Sequence, residues 1–176
     1  RRTRVLMVTD SLAVGGAEQV AVDLANTLDR STYEVRVCAT RDSGPLESRL
    51  AADVETVVLN RPNTWDVGGF LRFVKLVNGT GTDIIHSHGR GTLRFVALAR
   101  VLGLIRAKHV FHDHFGWFNL DRNASLAVRV ALRRGIDAYL GTKTQPPESM
   151  FDFLYADPPP DILEQRAQLL AREGRA

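Results

Sequence analysis

Short runs rich in Val and Ile recur along this chain at 4–9, 33–39, 55–59, 83–86, 108–111 and 138–141, and helix-length segments separate most of them. Few folds accommodate that alternation. Apolar runs bounded by charged or turn residues read as strands, and strands without clean in-and-out alternation are buried on both faces, as in parallel sheets covered by crossover helices. The intervening segments at 17–28, 67–78, 92–102 and 124–134 are predicted as helices, with a shorter one at 46–51. In the first, Val20, Leu24 and Leu28 repeat at helical spacing; in 92–102, Leu93, Val96, Ala97 and Val101 do the same. With right-handed crossovers, the expected fold class is α/β: a Rossmann-like, doubly wound parallel sheet of about six strands in three layers, with a helical tail.

The chain has 176 residues, 44% hydrophobic and 24% charged, enough apolar material for one core. That core is assigned to residues 1–143. Residues 144–176 read as a proline-rich linker and a C-terminal helix at 161–173 that packs back on the domain, because Pro146-Pro147 and Pro158-Pro159-Pro160 break regular structure. Between those breaks the apolar residues from Met150 to Tyr155 are expected to dock on the domain. The net charge of +3 is too small to imply nucleic acid, and no basic run is interleaved with aromatic residues. The single cysteine, Cys38, lies in an apolar run, which rules out an internal disulfide and suits core packing. Apolar stretches stop short of the roughly 18 residues of a membrane span. Arg1-Arg2-Thr3-Arg4 leads into a strand and not into a signal region, so a cytoplasmic protein is expected. The chain opens without an initiator methionine, which points to a trimmed parent.

Two clusters carry chemistry. The first strand delivers Gly15-Gly16 to a helix start, where backbone can take positive φ, a ligand can approach the main chain, and unpaired N–H groups and the helix dipole favour an anion. A tight strand-to-helix turn is the plainer use of the same pair. The second cluster is histidine: His86-Ser87-His88-Gly89 ends the fourth strand, and His112-Asp113-His114 carries the fifth into its loop. In a doubly wound sheet the ends of the first, fourth and fifth strands share one rim, so these histidines are expected beside Gly15-Gly16. Neutral imidazole donates and accepts hydrogen bonds and takes a proton near pH 7, so it can orient sugar hydroxyls or move protons. Residues at i and i+2 on a strand face the same side, so His86 with His88, or His112 with His114, has chelating spacing that Asp113 would complete. Spacing alone does not bring the two pairs together, and the expectation is that no metal is bound.

In this order, Gly15-Gly16-Ala17-Glu18, Asp83-Ile84-Ile85-His86-Ser87-His88, His112-Asp113 and Asp137-Ala138-Tyr139-Leu140 resemble the N-terminal half of retaining glycosyltransferases of family four. The resemblance covers roughly residues 4–142. It implies a GT-B enzyme, in which two Rossmann-like domains face each other across a cleft, the first holding the acceptor and the second a UDP- or GDP-sugar. By position, Gly15 and Gly16 would lie against the donor diphosphate and sugar, and His112 would match the active-site histidine on the transferred sugar. His86 and His88 would line the acceptor side, with Asp113 and His114 beside them. Glu18 would complement the helix dipole.

The departure from that pattern is size. A donor domain with its paired glutamates needs on the order of 150 further residues, and this sequence leaves no room for them. The leading expectation is therefore the acceptor-side domain of a glycosyltransferase, inactive alone, that needs a donor domain or second chain and uses nucleotide-sugar as co-substrate without a metal. A non-catalytic Rossmann-like interaction module is the alternative, and a metal-dependent hydrolase built on the histidines a third. Arg72, Lys75, Arg122, Arg129, Arg133 and Arg134 lie on or beside predicted amphipathic helices. They read as a solvated face or, alternatively, as a peripheral membrane contact reaching a lipid-linked acceptor. Trp117 and Phe118 would contact acceptor or lipid, or pack under the loop.

Overall fold

A computed structural model describes residues 1–63, 66–114 and 134–141. In chain order the elements are strand β1 (Thr3–Ser11), helix α1 (Gly16–Thr27), β2 (Tyr33–Asp42), a 3-10 turn (Pro45–Arg49), β3 (Glu55–Val58), α2 (Val67–Thr80), β4 (Ile84–His88), α3 (Arg90–Val101), β5 (Lys108–Asp113) and β6 (Ala138–Gly141). The strands form one six-stranded sheet in the order β3-β2-β1-β4-β5-β6, and each pair in it is parallel. This is the doubly wound arrangement, with its switch point between β1 and β4.

The side-chain parity of β1 explains the three layers. Leu6 and Val8 face one side, where Cys38, Ile85, Phe73 and Val77 of α2, and Phe95, Val96 and Ala99 of α3 close around them. Val5 and Met7 face the other, against Val35, Val37, Ala39 and the α1 residues Val22 and Ala25. Both faces of the central strand are thus covered, which is why its sequence reads as a continuous apolar run. Cys38 is a fully buried core residue, and burial pushes its thiol up to about 12.

Local chemistry sets the helix ends. The Asp66 carboxylate caps α2 by accepting from the Gly68 and Gly69 N–H groups at 3.1 and 3.0 Å, and Gly81 ends that helix at φ 60°. In place of the short helix expected at 46–51, Pro45 starts a 3-10 turn, Pro45–Arg49. Four strands run further than their apolar runs: β1 to Ser11, β2 to Asp42, β4 to His88 and β5 to Asp113. The last two extensions matter most, because they place the histidines on regular strand backbone. The boundary at 143, the helix at 161–173, the apolar patch 150–155, Trp117, Phe118 and most of the helix at 124–134 lie outside the described residues. Among the described residues no helix is long and apolar enough to cross a membrane.

Candidate active site at the carboxyl rim

The β4–β5 register builds a wall of imidazoles. His88 pairs directly with His112 and His86 with Val110, so His86, His88 and His112 share one face of the sheet, and His114 continues their parity beyond β5. Ring centroids are 4.5 Å apart for His86–His88, 5.3 Å for His88–His112 and 4.1 Å for His112–His114. His88 Nδ1 lies 2.9 Å from His114 Nε2, so one of these nitrogens donates to the other. At the break between β4 and α3, Gly89 takes φ 87°, a conformation that costs any residue with a Cβ, and this tight turn lets α3 start one residue after His88. Thr92 Oγ1 secures it by donating to the His88 and Gly89 carbonyls at 2.7 and 2.8 Å.

Burial keeps this wall neutral. His86 is lowered to about 3 and His112 to about 4, in each case first by desolvation and then by neighbouring imidazoles, while His88 is depressed well below its ordinary value for the same reasons. His114 is lowered as well, less deeply set, with the Asp113 and Glu18 carboxylates opposing the shift. At neutral pH these rings therefore act as hydrogen-bonding groups and potential ligands and not as cations, so they offer hydroxyls a partner but phosphate no charge. Any attraction for an anion at this rim would come from the start of the neighbouring helix.

That helix is α1, which packs against β4 and whose Glu18 carboxylate acts on His114. Gly15 caps α1 with no side-chain bond, leaving the first N–H groups pointing at the rim. Neither glycine uses positive φ: Gly15 is extended at φ −155°, and the positive-φ glycines among the described residues are Gly81, Gly89 and Gly103. The expected left-handed turn is thus absent. A Cβ at Gly15 would run into the Glu18 carboxylate, which folds back over the helix start, whereas a Cβ at Gly16 would meet nothing within 4 Å. Packing within the described chain leaves Gly16 open toward the rim.

Two polar side chains of β5, Asp113 and His109, face away from the wall. Asp113 has the opposite parity, is 3% exposed and accepts from the Tyr139 hydroxyl at 2.9 Å, so it does not join the imidazoles as a ligand. His109, on that same face, is fully buried: its Nδ1–H donates to the Gly135 carbonyl at 2.6 Å and its Nε2 accepts from Ser87 at 2.7 Å. It ties β5 to the chain entering β6. Sequence reasoning passed over a second rim cluster. Asp10 at the end of β1 accepts from Thr40 Oγ1 and from Arg61 Nη2, both at 3.1 Å, and Arg61 lies 4.8 Å over the Phe95 ring. The Asp10 carboxylate also presses on Gly91, at the start of α3, where a Cβ would collide with it. A carboxylate at a strand's carboxyl end was the available signal; nothing in the sequence linked it to Arg61.

The sequence profile of Glycosyltransferase Family 4 matches residues 14–143, more than half of the chain and all of the rim just described except Asp10. The chain belongs to Glycosyltransferase Family 4. As a Family 4 domain it is similar in fold to the HepE protein of Anabaena, whose crystal structure is a complex with UDP and glucose, at 18% identity and a TM-score of 0.57. That match covers 78% of this chain and 37% of HepE. It is also similar to MurG of Acinetobacter baumannii, at 15% identity and a TM-score of 0.50, covering 89% of this chain and 50% of MurG. The Family 4 domain thus spans half or less of each of these longer chains. No curated protein sequence gives a significant match.

Proposed function

We propose that this domain is the acceptor side of a GT-B glycosyltransferase that moves a sugar from a nucleotide-sugar to an acceptor with retention of configuration. A donor-binding domain, on the same or another polypeptide, faces the rim and closes over the substrates. The observation that carries this reading is the meeting of an open glycine helix start with a neutral imidazole wall at one strand-end rim, within the family match. Negative charge grows on the leaving diphosphate as the donor bond breaks, and the free N–H groups of α1 at Gly16 stabilise part of it. His112 donates a hydrogen bond to the transferred sugar, and His86, His88 and His114 orient the acceptor hydroxyl. Asp113, behind β5, acts by holding its strand through Tyr139. Nucleotide-sugar is the co-substrate, and no metal takes part in transfer.

A cytoplasmic location with peripheral membrane contact completes the proposal. Val67 and Leu71 are exposed on α2 beside Lys75, an apolar and basic surface suited to a lipid-linked acceptor. Arg72 is not free for this role, since it donates to the Leu59 carbonyl at 2.8 Å. Sedimentation with anionic vesicles at low and high salt tests the surface.

The central test assays UDP- and GDP-sugar turnover by mass spectrometry, with the chain alone and with its donor domain. Product is expected only when both halves are present. Release of UDP or GDP by the chain alone at about 10 s⁻¹, an ordinary enzyme rate, would refute the half-site.

A further inference from the structure

Six buried side-chain nitrogens lack a hydrogen-bond partner among the described residues, and three of them belong to the wall: His86 Nε2, His88 Nε2 and His112 Nδ1. Unpaired polar atoms are unfavourable in an interior, and three aimed into one space ask for a common partner. The ligand atoms of these three histidines lie within 4.8 Å of one another. Tetrahedral zinc, with Zn–N near 2.0–2.1 Å, holds its nitrogens roughly 3.3 Å apart, so these stacked rings must turn and draw together to reach bonding geometry.

We propose that His86, His88 and His112 form a zinc site on the α1 face of β4 and β5, with a fourth position open to the rim. The backbone already fixes the ligands, because His88 and His112 are direct partners across β4 and β5 and His86 stands two residues back on the same face. His114 supplies the outer contact that metal-bound histidine requires: a proton shared between His88 Nδ1 and His114 Nε2 leaves the His88 Nε2 lone pair for the metal. Three nitrogen donors with no carboxylate favour zinc over magnesium, calcium or manganese. Resting on the glycosyl-transfer reading, one consequence follows: zinc occupies the acceptor wall and therefore inhibits transfer, relieved by chelator.

Cobalt(II) titration of the full chain is expected to give one equivalent bound with the intense visible bands of a four- or five-coordinate site, displaced by zinc. His88→Ala and His112→Ala should abolish those bands while circular dichroism stays that of the parent, and His114→Ala should weaken zinc binding about 10–100-fold. Weak octahedral cobalt absorption, or zinc affinity unchanged in the folded His112→Ala variant, overturns the site. Zinc-edge X-ray absorption on the unaltered chain needs no variant: a shell with three imidazoles supports the site, and one with fewer refutes it. Sugar transfer without zinc binding would remove the metal site alone, whereas zinc binding in a protein that forms no glycosyl product would remove only the transfer reading.

Discussion

The Arg61 guanidinium, 4% exposed, donates to the Asp10 carboxylate at 3.1 Å and joins the end of β1 to the loop after β3. A buried cation that loses its carboxylate keeps its desolvation cost, and Thr40 alone cannot replace the pairing. Asp10→Ala is therefore expected to destabilise the domain by about 2 kcal/mol, read as a lower urea midpoint with unchanged slope. An unaltered midpoint would show that solvent already screens the pair.

Gly16→Ala separates packing from ligand approach. The new methyl meets nothing within 4 Å and alanine is the better helix residue, so stability should hold or rise by a few tenths of a kcal/mol, up to ~1. Transfer with the donor domain present should fall at least tenfold, because the methyl would stand where the proposed half-site brings the diphosphate. Equal loss of stability and activity would place the methyl in a protein contact instead.

His109 makes stability depend on acid. Burial lowers it to about 4 in the folded domain against 6.5 for the ordinary side chain, so the unfolded chain binds a proton that the folded chain refuses. Its stabilisation is complete above pH 6.5 and is lost as pH falls toward 4, with a slope of up to about 1.4 kcal/mol per pH unit. Urea titrations at pH 7.5, 6 and 5 with chelator present should show a declining midpoint, to which His86, His88 and His112 add in the same direction because burial lowers them too. A flat profile would mean that His109 protonates in place.

Cys38 should be chemically silent. Full burial and a thiol pushed up to about 12 leave little thiolate at neutral pH, so a disulfide reagent should label it only as fast as the domain opens. Labelling within seconds in buffer, matching the rate in urea, would contradict the packing of β2.

The periodicity of the Val- and Ile-rich runs determined the parallel sheet, because a strand covered on both faces has to be apolar throughout and leaves that record in the chain. Gly15, Gly16 and the four wall histidines could be assigned to one rim for a similar reason: parallel strands bring their carboxyl ends to the same edge of the sheet. The sequence could not say that β4 and β5 run on through His88 and Asp113. Strand pairing, and not local propensity, carries the backbone past the last apolar residue. That extension alone decided that His86, His88 and His112 share a face while Asp113 turns to Tyr139, since a pleat sends successive side chains to opposite sides. Likewise the loss of positive φ at Gly15 and the pairing of Asp10 with Arg61 across 51 residues depend on how separate elements pack. Such contacts form between residues distant along the chain, and only the folded chain brings them together.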